Sequence, residues 1–333
     1  MSPLMIGPLH AGGIITNYSC SSTCGHCLYN CSPRREKDYL QPEKAKRIVD
    51  KIRELGCYSV HIGGGEPFVK QEALVEAMAA IDKSGAMIEY IETNCSWYKE
   101  ELSAIKLIKQ LMRTGVNTLL ISISPFHNSS IPFNKTESVI KACHKAGMNI
   151  FPWIQECIED LAVFDKHEAH SLEEFQEEFG ADYLVRLTKR YWVRINGRAL
   201  ETYRPLFPQK TAAQILAENS ESCRRELADT SHFHIDLFGN YIPGLCTGLA
   251  INMEDLGKPL DSGKYPLLNI LANEGINGLV NWAAKEVSFE PLQPAYLNKC
   301  DLCTELRYYL FKQNNWTGEL KPEGFYSAMG LEA

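Results

Sequence analysis

No apolar run in the 333-residue chain reaches the length of a membrane span, and residues 1–13 lack a basic stretch followed by a long apolar core. These absences argue against a bilayer-spanning protein and a secretory signal, so the expected compartment is the cytoplasm. Long basic runs are missing as well. With a net charge of -7 and an isoelectric point near 5.8, the chain has no electrostatic footprint for a phosphate backbone or an anionic membrane, and neither partner is expected. Repeats at a fixed period and low-complexity segments are absent too, which argues against solenoids and disordered tails. Cysteine, by contrast, is plentiful. Twelve of them in a compartment that keeps thiols reduced point to metal or redox chemistry rather than disulfides. Asn-x-Ser/Thr sequons such as Asn128-Ser129-Ser130 are then chance matches.

The length suffices for one large domain and a smaller one. From residue 12 to about 220, β-rich apolar runs alternate with helix-period segments, the pattern of repeated βα units around a parallel sheet. Strands are expected at 12–20, 59–67, 87–94, 119–125, 149–158 and 183–196. Helices are expected at 41–55, 71–84, 101–114, 136–147, 171–178 and 209–219. Six βα units fall short of the eight of a closed barrel. Near residue 220 the sequence becomes polar and turn-rich, with a hairpin-like stretch at 232–244. The expected division is 1–217 for the core and 218–333 for a second domain.

Cys20-x3-Cys24-x2-Cys27 follows the first expected strand. Zinc would need a closed set of four ligands, which His26 or Cys31 could complete. Three thiolates in a tight loop also suit three irons of a 4Fe-4S cluster, leaving the fourth iron without a protein ligand. The CxxxCxxC spacing resembles the radical S-adenosylmethionine (SAM) superfamily. In that family the open iron is chelated by the amine and carboxylate of SAM, and one-electron reduction yields a 5'-deoxyadenosyl radical. One departure is His26, where the family usually has an aromatic residue before the last cysteine. A second motif agrees with the first: Gly64-Gly65-Glu66-Pro67 matches the family's GGEP strand end. Its glycines would let the backbone approach a ligand closely, and Glu66 would accept a hydrogen bond near the SAM ammonium.

The resemblance implies a partial (β/α)6 barrel whose strand ends contact SAM and substrate. Asn94 and Ser122 match the family's SAM-contact positions best. Ser124, with His127 just beyond, and Gln155 or Glu156 lie at further strand ends. Arg194, like Arg186 and Lys189, is a candidate for a carboxylate group.

Beyond residue 217 lie Cys223, Cys246, Cys300 and Cys303, the last two as a CxxC knuckle. Zinc is one reading of such a quartet. The order also resembles the SPASM and twitch auxiliary-cluster domains of radical SAM enzymes. The sequence departs from full SPASM in the long gap from Gly239 to Cys246 and in Arg307, which stands where a further cysteine would be. One auxiliary 4Fe-4S cluster is therefore expected, closed by four thiolates; without Cys223 it would have an open iron. Of the other cysteines, Cys57 and Cys143 read as buried apolar residues. Cys31, Cys95 and Cys157 are candidate hydrogen-atom donors to a substrate radical.

The resemblance implies an enzyme served by a flavodoxin- or ferredoxin-type reductant. Its expected substrate is a peptide undergoing epimerisation or cross-linking, since the CxxxCxxC-x3-CSP arrangement, the LTKRYW...GRA stretch and the C-terminal cysteine order look most like peptide epimerases and their relatives. With only 19 residues before Cys20, a leader-binding winged-helix domain is not expected within the chain. A small metabolite or cofactor precursor is the second reading, with Trp282, Phe289, Tyr296, Tyr308 and Tyr309 shaping a pocket. A non-catalytic iron-sulfur or zinc protein is the third, but neither would need the GGEP strand end.

Overall fold

The computed structural model of the chain describes residues 2–314 and 318–329. Its centre is an α/β sheet whose strands follow one another through helices. The order is β1 (Gly12–Ile15), α1 (Pro42–Glu54), β2 (Ser59–Gly63), α2 (Gln71–Lys83), β3 (Met87–Thr93), α3 (Glu101–Met112) and β4 (Thr118–Ser122). A short α4 (Pro125–Asn128), α5 (Phe133–Ala146) and β5 (Asn149–Trp153) complete this half. The helices form because their apolar residues recur at i, i+3, i+4 and i+7. Ala45, Ile48, Val49 and Ile52 are buried on α1, Leu74, Ala77, Met78 and Ile81 on α2, and Ala104, Leu107, Ile108 and Leu111 on α3. β1 is buried along its whole length, as expected for a central parallel strand covered on both faces.

The next segment differs from the expected sixth strand. Residues 183–196 begin with a helix, α8 (Tyr183–Arg190), after α6 (Cys157–Leu161) and α7 (Leu172–Phe179). Tyr183, Leu184 and Leu187 are buried on one helical face, with Tyr191 following at the same period. A strand would have alternated these side chains between two faces. Five further helices follow in order: α9 (Ala199–Tyr203), α10 (Ala212–Glu218), α11 (Arg224–Leu227), then α12 (Pro266–Val287) and α13 (Lys299–Lys312) beyond three strands; α14 (Glu323–Met329) closes the described chain.

The sixth parallel strand is β6 (Phe233–Asp236), which pairs with β1 rather than with β5. β6 turns through Gly239, at φ +87°, into β7 (Asn240–Ile242), so the expected hairpin is present, and β8 (Ile251–Asn252) adds a last antiparallel strand. Asp236 fixes the turn by accepting from the Phe238 and Asn240 amides, each at 2.9 Å. The sheet order is β5-β4-β3-β2-β1-β6-β7-β8. None of the described helices is long and apolar enough to cross a membrane.

Candidate active site

The C-terminal ends of β1 to β4 and the loop after β1 surround a cavity of about 590 Å³. Cys20, Cys24 and Cys27 all line it, with Cys31 beside them. Backbone bonds fix the cysteine loop on two sides. From β2's end, the Gly65 amide donates to Asn17 O at 2.8 Å and the Glu66 amide to Ser19 O at 3.0 Å. A Cβ on Gly65 would overlap the Ser19 carbonyl, so Gly65 is needed for this loop-to-loop approach. From the other side, Arg198 donates to Cys24 O and Cys31 O, both at 3.0 Å, and its amide donates to Cys27 O at 3.1 Å. Thr202 adds a 2.7 Å bond to Gly25 O. Arg198 and Thr202 hold the loop; the residue pattern of the 197–199 GRA stretch gave no sign of that task.

Glu66 is buried, and its carboxylate is taken up by the protein. It accepts from the Asn94 amide at 2.7 Å, Thr93 Oγ1 at 2.9 Å and the Phe68 amide at 3.1 Å. Its role is to tie the ends of β2 and β3 together, although it still borders the cavity along with Gly64 and Gly65. Asn94 reaches the cysteine loop directly, donating from Nδ2 to Cys20 Sγ at 3.4 Å. Burial lifts the Cys20 thiol to about 12, whereas a hydrogen bond with Cys31 brings Cys27 down to about 6.

The other expected residues divide into two groups. Ser122 and Arg194 line the cavity. Ser124 is buried behind it as the cap of α4, 2.7 Å from His127 Nδ1, and it is His127 that faces the cavity. Gln155 is exposed and lies off the cavity. Cys95 and Cys157 are fully buried and do not line it either; Cys95 lies beside Thr136 and Cys143 of α5.

Several cavity residues were not legible as such. Glu92 points into the cavity from β3 and accepts no hydrogen bond from the described residues, and burial raises its carboxyl to about 7. A cavity-facing carboxyl so perturbed is a candidate functional position. Tyr29, Tyr90, Trp153, Tyr191, Trp192, His232 and His234 form much of the remaining wall. Their one sequence signal was their place at or after strand ends.

Two buried polar atoms in this region, Ser22 Oγ and His26 Nδ1, have no hydrogen-bond partner among the described residues. His26 packs as a flat ring against Phe126, with centroids 4.5 Å apart. Three clustered thiols, two unsatisfied polar atoms and an unpaired carboxyl fit a polar, metal-containing ligand rather than a dry core.

The second cysteine set also converges. Cys223 caps α11, Cys246 follows the β6–β7 hairpin, and Cys300 and Cys303 occupy the first turns of α13. Burial and neighbouring thiols raise Cys223 and Cys246 to about 12. Arg307 is buried beside them, donating to Thr247 O at 2.7 Å and Thr304 Oγ1 at 2.9 Å.

Residues 14–163 match the radical SAM superfamily. The mycofactocin maturase MftC of Mycolicibacterium smegmatis is 36% identical over 55 residues, 16% of this chain and 14% of that protein. The GTP 3',8-cyclase of Aquifex aeolicus is 29% identical over 122 residues, 35% of each chain. These matches span only about a seventh to a third of the curated relatives' length. Among solved structures, anSMEcpe with bound AdoMet superposes with a TM-score of 0.43 at 14% identity, over 91% of this chain and 98% of that one. Residues 14–163, which hold the cysteine loop and the GGEP strand end, are the part of the chain that matches the radical SAM superfamily, a superfamily of enzymes.

Proposed function

We propose that Cys20, Cys24 and Cys27 hold a 4Fe-4S cluster with one iron left open for SAM, and that the cavity receives both SAM and a substrate. The observation that carries this reading is the shared cavity, which the three thiols, the GGEP strand end, Asn94 and Ser122 line together. When bound, the cluster and SAM supply a 5'-deoxyadenosyl radical able to take hydrogen from an unactivated carbon. The protein's own tasks are positional. Arg198 and the β2 strand end hold the loop in place. Asn94, Ser122 and Arg194 orient polar groups of SAM, while Trp153, Tyr191 and Trp192 shield the reacting centre from water and stray hydrogen donors. Of the candidate donor thiols, Cys31 is the one on the cavity, so it is assigned any hydrogen-atom delivery.

We further propose that the region beyond residue 217, which lends His232 and His234 to the cavity wall, is twitch-like and that Cys223, Cys246, Cys300 and Cys303 close one auxiliary 4Fe-4S cluster there. Arg194 lies between the two sites, facing the cavity and donating to Gly244 O at 2.8 Å near Cys246. The substrate proposed is a peptide undergoing epimerisation or cross-linking, supported by the cysteine order and by the local match to a maturase. A flavodoxin- or ferredoxin-type protein in the cytoplasm would supply electrons.

Anaerobic reconstitution tests the cofactor reading. The wild type should carry about eight irons, and C300A/C303A about four while still forming 5'-deoxyadenosine with dithionite and SAM. C20A/C24A/C27A should also hold about four but form none. Zinc in place of iron, without deoxyadenosine, would sink the reading. Incubation of a candidate precursor peptide in D2O separates outcomes: a gain of one deuterium for epimerisation, a loss of two hydrogens for a cross-link, and no change against a peptide substrate.

A further inference from the structure

His61 on β2 and His234 on β6 stand in register with the same residue of β1, Gly13. Side chains on neighbouring strands at one register position project from the same face of a sheet, so a residue between them would normally separate the two rings. Gly13 does not, and a Cβ there would overlap the His61 imidazole at Nε2. The two Nε2 atoms meet across the gap at 3.0 Å. His232, two residues before His234, brings a third ring, stacked on His61 with centroids 5.1 Å apart. One ring nitrogen from each histidine lies within 4.8 Å of the other two, and among the described residues no other cluster of possible ligands is so tight.

We propose that His61, His232 and His234 bind a divalent transition-metal ion on the wall of the cavity, separate from both cysteine sets. Imidazole nitrogens sit about 2.0–2.1 Å from such an ion, so two of them 3.0 Å apart subtend about 95° at it, a normal cis angle, and the half-buried His232 ring turns off the face of His61 to bring in the third nitrogen. Tyr29 OH lies 2.9 Å from His234 Nδ1 and fixes that ring with Nε2 turned to the shared space, the usual outer-shell arrangement at a metal-bound histidine. Burial lowers the pKa of all three imidazoles, that of His61 to about 3, which favours the neutral ring, the ligand form. Three protein ligands leave a coordination position open, and His232 and His234 border the cavity. That position suits a carboxylate or carbonyl oxygen of the substrate. The site stands on these imidazoles alone and does not depend on SAM cleavage.

The test uses the iron-loaded protein, so that the thiols are occupied, with zinc as the probe. After desalting, about one zinc per chain should remain, and X-ray absorption should show nitrogen scatterers at about 2.0–2.1 Å with imidazole features. H234A should lose the zinc at unchanged iron content, and Y29F should weaken binding roughly 10- to 100-fold. If H234A does not fold, H232A, whose ring is partly exposed, gives the same reading with wild-type thermal unfolding as its control. No retained zinc, equal zinc in the wild type and the histidine variant, or a sulfur shell at about 2.3 Å overturns the proposal. Loss of iron loading would instead count against the cluster reading.

Discussion

Glu66 and Glu92 are two carboxyls on one cavity with opposite surroundings. Glu66 accepts three protein hydrogen bonds, while Glu92 faces the cavity without a donor among the described residues. For Glu92, burial alone raises the carboxyl from 4.5 to about 7. A folded-state pKa above the unfolded value means that the protonated form is favoured by the fold. The contribution is complete below about pH 4.5 and is lost as pH rises through about 7, above which the charged form costs about 3 kcal/mol. E92Q cannot ionise and should escape that loss. Urea unfolding of the metal-free protein should give E92Q and the wild type the same stability near pH 4 and a more stable E92Q at pH 8. Equal differences at both pH values would show that Glu92 titrates as an ordinary surface carboxyl. Glu66 leaves a residual pH dependence in both proteins, since burial raises it to about 7 as well.

The loop between β1 and α1 is positioned by contact with the end of β2, and this makes the glycines of GGEP structural in their own right. G65A would push a Cβ into Ser19 O and strain the segment that carries Cys20, at a cost of about 1–3 kcal/mol. G56A is its control: Gly56 has φ +93° but open space around it, so only backbone strain is introduced. Both variants should unfold at lower urea, yet only G65A should lower iron content per folded chain; unchanged iron in G65A would show that the loop adjusts independently of β2. Elements of this kind were legible because α1 to α3 each carry one apolar stripe and β1 to β5 are short apolar runs closed by turn residues. α8 was not, because YLVRLTKR satisfies alternation over a few residues as well as a helical period, and only packing decides. β6 read correctly as a hairpin arm, but its pairing with β1 spans more than 200 residues, and local pattern carries no information about such a neighbour. The histidine cluster was hidden for the same reason. Its available signals were the glycine pair inside an apolar strand and the i, i+2 spacing of His232 and His234.

At the scale of the molecule, the division between the two cysteine sets does not coincide with a division of the sheet. β1 lies between β2 and β6, so the strand that leads into the cysteine loop takes one of its two neighbours from beyond residue 217. The N-terminal segment is held from the same side. The Leu4 amide donates to Asn269 Oδ1 at 3.0 Å, the Leu260 amide to Leu4 O at 2.7 Å and the Gly257 amide to Ile6 O at 2.8 Å. A fragment of residues 1–217 would therefore bare one edge of β1, with Gly12 and Gly13 offering little side-chain packing of their own, and would release Leu4 and Ile6 from their partners. It should express as aggregate or unfold without a cooperative transition, measured by size-exclusion chromatography and thermal circular dichroism. C300A/C303A, which keeps every strand, should melt cooperatively and retain iron at the first site. If the 1–217 fragment instead folds, melts cooperatively and loads about four irons, the β1–β6 pairing is dispensable and the two regions are separate folding units as well as separate sites. The expected failure of the fragment would mean that the two cysteine sets belong to one folding unit, with β6 and its hairpin connecting the cavity wall at His234 to Cys246.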